Sequence, residues 1–166
     1  MGNSLVDADE PAPSSTVAEG ARRQLALEVS PRLYQKIRRL WIKHSRAEDA
    51  RDIEGLISTL SEDCVYEIIP TGQRWDGHDG ARTFYGELLS AFPDVHFDLI
   101  DIVIGPQGVI EAVDMTGTHQ AAWAGMPATG RRVNLRVLIH FPWDSASGKF
   151  AGEKVYFDSK DIPPVD

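Results

Sequence analysis

Proton transfer near neutral pH needs imidazoles, carboxylates or phenols set against an apolar surface, and this chain offers a short set of candidates. His119 ends a strand-like run. With an ordinary pKa of about 6.5 it can act as a general base or bond a substrate carbonyl, or it can simply pin the loop that follows. Asp158 lies just past Val155-Tyr156-Phe157, as a carboxylate at the end of the last strand or as a cap or ion-pair partner for the closing segment. Tyr66 can offer a phenol to a ligand oxygen and its neighbour Glu67 a base, but alternation lets only one of the two face inward. His140 points outward on a regular strand and inward only if a bulge near Pro142 shifts the register by one residue.

The loop after His119 is the expected lid. Gly117 to Arg132 reads GTHQAAWAGMPATGRR, and a connector holding Trp123, Met126 and Pro127 is too apolar for open solvent. It is read as the mouth of a small-molecule pocket. Val133, Leu135, Val137 and Ile139 put one wholly apolar face on the next strand, which lines that pocket, while Asn134, Arg136, Leu138 and His140 point the other way. Trp41, Trp75 and Trp123 serve either as core or as ligand platforms, Trp123 having no core of its own loop to join.

Other chemistries lack their signatures. There is no Walker loop, no Gly-x-Gly-x-x-Gly after a strand and no Gly-x-Ser-x-Gly. The histidines and carboxylates show no metal-ligand spacing, and the single Cys64 can form neither an intramolecular disulfide nor a thiolate zinc site. No metal or cofactor is expected, and a reducing, cytoplasmic location fits. A formal net charge of -8 disfavours nucleic acid and anionic membrane as partners.

The elements that must position these groups follow from periodicity. At 166 residues and 42% hydrophobic side chains, one domain over 29–166 is expected, preceded by a mobile tail over 1–28 from which Gly20 to Glu28 can form a short docking helix. Ser30 before Pro31 starts a helix whose buried stripe is Leu33, Ile37, Leu40, Trp41 and His44. Asp52 caps a second helix and Asp79 a third. Strands are expected over 64–69, 95–104, 109–119, 133–141 and 149–157, giving an α+β fold with three helices against a curved antiparallel sheet.

The lid motif, Trp75-Asp76-Gly77-His78-Asp79-Gly80, Phe92-Pro93-Asp94 and Gly148-Lys149 together resemble the SnoaL-like polyketide cyclases, a branch of the NTF2-like fold, over residues 31 to 160. The resemblance implies a conical barrel, a hydrophobic small-molecule ligand, a homodimer through the outer sheet face, and acid–base ring closure by an aspartate. That aspartate falls on Val155, its helper Gln-x-His pair on Val137 and Ile139, and a first-strand asparagine on Tyr66. An alkyl group cannot carry a proton, so the cyclase mechanism does not transfer as written. The Arg-x-Asp of epoxide hydrolases of this fold fails too, because Arg136 is followed at that spacing by Leu138.

Two readings of function remain. One is a cofactor-independent enzyme of the cyclase, isomerase or lyase type on a hydrophobic carbonyl compound, using His119, Asp158, Tyr66 or a bulged-in His140. The other is a non-catalytic binder that holds an apolar ligand among Trp123, Val137, Ile139, Val155, Trp75 and Met126.

Overall fold

The structure is a computed structural model that describes residues 19–158, 160 and 162. Four helices and six strands follow one another as α1 (Glu19–Leu25), α2 (Pro31–Asp49), α3 (Ile53–Ile57), β1 (Leu60–Ile68), β2 (Gln73–Asp76), α4 (Gly77–Ala91), β3 (His96–Gly105), β4 (Gly108–Thr118), β5 (Arg132–Asp144) and β6 (Lys149–Tyr156). Most of the expected tail, residues 1–18, lies outside the described residues; α1 buries none of its side chains, and its Gln24 carbonyl accepts a bond from Gln107 Nε2 at 3.0 Å.

Helix starts follow capping chemistry. Ser30 is extended and its hydroxyl accepts from the Leu33 amide, with proline in the first turn of α2. Asp52 accepts from the Gly55 amide at the start of α3. The expected cap at Asp79 is displaced: α4 starts at Gly77, and Asp79 sits within its first turn, paired with Arg82 at 2.9 Å.

The strands form one sheet in the order β2-β1-β6-β5-β4-β3. It is not wholly antiparallel, because β1 runs parallel to β6. The sheet curves without closing. Its concave side holds Val109, Val113 and Met115 of β4 and Val133, Leu135, Val137, Ile139 and Phe141 of β5, buried in strict alternation. Helices α2 and α4 cover that side through Ile37, Phe84, Tyr85 and Leu88. Among the described residues no helix is long and apolar enough to cross a membrane.

One irregularity organises the interior. Between β5 and β6, three residue steps from His140 to Trp143 face four steps from Lys154 back to Phe150, so β6 carries one extra residue. Gly152 sits there at φ 115°, where β1 approaches so closely that a Cβ would lie 1.9 Å from the Val65 carbonyl oxygen. The slip changes the phase of β6: Phe150 faces inward before it, and Glu153, Val155 and Phe157 after it. A polar side chain thus enters the cone.

Candidate active site

Glu153 is 3% exposed, and its Oε1 is the focus of the interior. Tyr66 of β1 donates to it at 3.0 Å, Tyr85 of α4 at 2.5 Å, and His44 Nε2 of α2 stands 3.1 Å away. The two phenols are 2.9 Å apart, and Tyr85 is also 3.0 Å from His44 Nε2. On the other side of the ring, His44 Nδ1 lies 2.7 Å from Thr59 Oγ1, whose own proton goes to the Leu56 carbonyl. Nδ1 is therefore the donor to Thr59. A doubly protonated ring then donates from Nε2 to the carboxylate. Burial first, and the Glu153 charge second, push both phenols well above the usual tyrosine range, so they serve as proton-bearing donors.

These donors engage one carboxylate oxygen. The side chain also lines a narrow apolar cleft whose walls include Phe84, Phe97, Met115, Trp123, Val137 and Ile139. Val155 lies on the same wall, two residues from Glu153 on the same face of β6. The carboxylate that the resemblance sought at Val155 is thus present one inward position earlier on the strand.

Two further carboxyl groups reach the interior. Glu111 of β4 is 5% exposed and accepts from Trp41 Nε1 at 2.7 Å. Burial, reinforced by Glu153, pushes its carboxyl up to about 7, against the pull of the Trp41 bond. Glu48, half-buried on α2, is raised well above the carboxylate range by burial first and then by Glu153, Glu111 and Asp49. Glu48 and Phe97 line both the inner cleft and an outer one bounded by Trp41, Asp49 and Glu111. Among the described residues, no group of three or more His, Cys, Asp or Glu side chains is placed to hold a metal ion.

The residues singled out from sequence separate. Tyr66 is in the site, as a partner of Glu153, while its neighbour Glu67 points away and pairs with Arg74. Trp123, Val137, Ile139 and Val155 share the inner cleft. The lid closes on a tight turn in which Ala124 and Gly125 both have positive φ and Trp123 and Met126 exchange backbone bonds at 2.9 Å; the indole stacks on Phe157 and meets Phe92 edge-on. Met126 is half-buried beside it, and Trp75 packs edge-on against Phe84.

The other candidates stand apart. His119 is fully buried and stacked on Phe92, with Nδ1 3.4 Å from Thr129 Oγ1. Burial holds its imidazole below the usual histidine range, offset in part by the Ala121 backbone. Its backbone bonds Arg131 and Gly130 across the lid, a pinning role. Asp158 is exposed and accepts from the Lys160 amide at 3.0 Å. His140 faces outward, opposite Ile110 and Lys154, because the bulge lies on β6 beyond it and not on β5. Sequence reasoning missed Glu153, Glu48 and Glu111, and placed His44 in the helical stripe without its carboxylate.

The fold has known counterparts. The family profile of the SnoaL-like polyketide cyclases matches residues 32–162. The chain belongs to that family. Its fold is also that of a protein from Jannaschia sp. CCS1 assigned to the SnoaL-like polyketide cyclases, at 16% identity and TM-score 0.69 over 84% of this chain and all (100%) of the other. An NTF2-like protein from Burkholderia xenovorans LB400 aligns at 16% identity and TM-score 0.62, over 78% of this chain and 94% of the other. SalBIII, an epoxide hydrolase/cyclase-like enzyme of pyran-ring formation in the polyether salinomycin, aligns at 17% identity and TM-score 0.62, over 76% of this chain and 94% of the other. No curated protein sequence matches the chain.

Proposed function

We propose that this SnoaL-like chain is a cofactor-independent acid–base enzyme of the cyclase or isomerase type, acting on a hydrophobic carbonyl compound. The observation that carries the reading is Glu153, a buried carboxylate held at one oxygen by Tyr66, Tyr85 and His44 while lining an apolar cleft. Such a group is oriented for one task and shielded from water. Glu153 takes a proton from the carbon beside the substrate carbonyl, and the electron pair of that C–H bond moves to the carbonyl oxygen. Glu48, held above the ordinary carboxylate range by burial and its acidic neighbours, protonates that oxygen. Isomerisation returns the proton to a different carbon; ring closure instead joins the enol carbon to a second carbonyl carbon of the same molecule, whose π pair passes to its oxygen and takes the proton held by Glu153, while the enol O–H returns its proton to Glu48. SalBIII, which shares the fold, has a role in ring formation.

The binder reading draws on the apolar wall of Val137, Ile139 and Val155, but a purely passive apolar site has no use for a carboxylate ligated in its interior. The test is exchange of the α-protons of 2-tetralone, a plain hydrophobic ketone, with D2O, followed by NMR. The wild-type protein accelerates exchange, and Glu153→Gln loses about 10²–10⁴-fold of that acceleration. Equal exchange by both proteins overturns the mechanism.

The same proposal includes a homodimer through the convex sheet face, where Val103, Ile110, Leu138 and Tyr156 are exposed around the Arg136–Asp114 pair. Light scattering coupled to size exclusion at micromolar concentration decides it: a dimer mass supports the proposal and a monomer mass refutes it.

A further inference from the structure

Two facts about the interior do not sit together unless a wall moves. The ligated carboxylate Glu153 lines an inner cleft that, as it stands, has room for about one water molecule. Nothing larger reaches it in this conformation. The wall free to move is the lid, because Trp123 lines the cleft from a loop, whereas Phe84, Met115, Val137 and Val155 are fixed on helix or strand.

At the base of that lid lies an atom with nothing to bind. His119 is fully buried, and its Nε2 has no hydrogen-bond partner among the described residues. The polar contacts of the ring, Thr129 Oγ1 at 3.4 Å and the Ala121 backbone, therefore fall to Nδ1, which carries the proton of the neutral form. Leaving a buried lone pair unmatched is a modest cost, but a charged N–H in the same place is a large one. Burial accordingly holds the imidazole below its ordinary value of 6.5. The titratable groups of the neighbouring β3 are His96 and Asp98, which pair with each other at 3.1 Å. Asp94 is taken by the Thr118 amide and hydroxyl and by Arg132, and Arg131, Asp158 and Lys160 complete the charged residues nearby. None of them is among the causes that shift His119.

The same ring is a joint of the lid. It lies flat on Phe92, with centroids 5.0 Å apart; Phe92 meets Trp123 edge-on, and Trp123 lies on Phe157. The His119 amide and carbonyl bond Arg131 and Gly130, where the loop returns. The tip of the loop is strained, with Ala124 at a φ of 53°. A ring that must leave this stack to take up a proton removes the support of Trp123 as it goes.

We propose that residues 120–130 form an acid-opened lid: protonation of His119 expels its ring from the stack on Phe92, frees Trp123 and admits ligand to the inner cleft. The inference rests on the reading of the cone as a small-molecule site and adds a control on entry. Above pH 6.5 the ring is neutral with the lid open or shut, so opening does not depend on pH. Below it the open form takes up the extra proton, and the open-to-shut ratio rises by up to about tenfold per pH unit until the shut form titrates as well.

The test labels the four tryptophans as 5-fluorotryptophan and follows the Trp123 fluorine resonance, assigned with Trp123→Phe, from pH 8 to pH 5 by shift and relaxation dispersion. In the wild type that signal moves toward its solvent-exposed position below pH 6.5, with the midpoint of the His119 imidazole read by proton–carbon NMR in the same samples. His119→Phe, which keeps an aromatic ring on Phe92 and cannot ionise, holds Trp123 shut down to pH 5, while Glu111→Gln leaves the wild-type response in place. A Trp123 response that survives in His119→Phe overturns the proposal. So does a wild-type His119 that takes up its proton while Trp123 stays still, or a neutral His119 under a shut lid at pH 5; these two readings need no variant and decide the matter if His119→Phe does not fold. If the lid opens in acid but Glu153→Gln leaves ketone exchange unchanged, the lid stands and the acid–base reading falls. If Trp123 does not respond while Glu153→Gln abolishes exchange, the lid falls and the acid–base reading stands.

Discussion

Replacing Glu111 by glutamine should make this protein more stable at pH 8. In the unfolded chain Glu111 ionises near its ordinary value of 4.5, whereas in the fold burial and Glu153 move it to about 7. The folded state therefore favours the protonated acid. Below 4.5 both states are protonated and no penalty exists; between 4.5 and 7 the unfolded chain releases its proton first and stability falls; above 7 the loss is complete. The gap of roughly 2.5 units corresponds to about 3 kcal/mol, each unit being about 1.4 kcal/mol. The ionisable groups that share its surroundings are Glu48 and Asp49 on α2 and Glu153 on β6, all acidic, so none offsets the penalty. Glutamine keeps an oxygen for Trp41 Nε1 and has nothing to ionise. Urea denaturation of wild type and Glu111→Gln at pH 5 and pH 8 reads the effect directly: the variant gains about 3 kcal/mol at pH 8 and less than about 1 kcal/mol at pH 5. A variant that is no more stable at pH 8, or equally stabilised at both, shows that Glu111 ionises freely in the fold and refutes the electrostatic account of the outer cleft.

Other expectations concern the inner site and the strand that forms it. Tyr66→Phe and Tyr85→Phe each remove one donor from Glu153 and should cost about 1–3 kcal/mol in chemical denaturation, with lower ketone exchange as well. Gly152→Val places a side chain on the Val65 carbonyl at a φ that β-branched residues avoid; circular dichroism and denaturation should show a loss of several kcal/mol, about 3 or more, or no folded protein. His140→Ala, on the convex face, should leave ketone exchange within about twofold of wild type, and a large loss there would mean that His140 reaches the cone.

Much of the scaffold was legible because it is written in local rules. Ser30 and Asp52 cap the helices expected of them, and the alternation of Val133 to Ile139 names the concave face of β5. The parallel pairing of β1 with β6 was not legible, since nothing local in β1 distinguishes a parallel from an antiparallel neighbour. Glu111 was available to the same alternation rule, standing between Val109 and Val113 on the inward side of β4. Glu48 likewise stands four residues after His44 on the buried stripe of α2. Position alone does not single them out, since a carboxylate on a stripe is more often solvated than buried. Glu153 is different: strict alternation from Phe150 turns it outward, and only Gly152 inside a strand hints that the count must slip. The bulge that could have turned His140 inward near Pro142 lies instead one strand over, on β6.

That slip on β6 makes the strand behave like a vernier scale. Without the slip, strict alternation from Phe150 would exchange the inward set Glu153, Val155 and Phe157 for Lys154 and Tyr156, inverting the charge at the heart of the cone. Which side chain faces the cone is therefore encoded less by the residue at a given position than by where the chain loses count. Two chains of this shape can have the same residues on β6 and expose different chemistry to the same cavity.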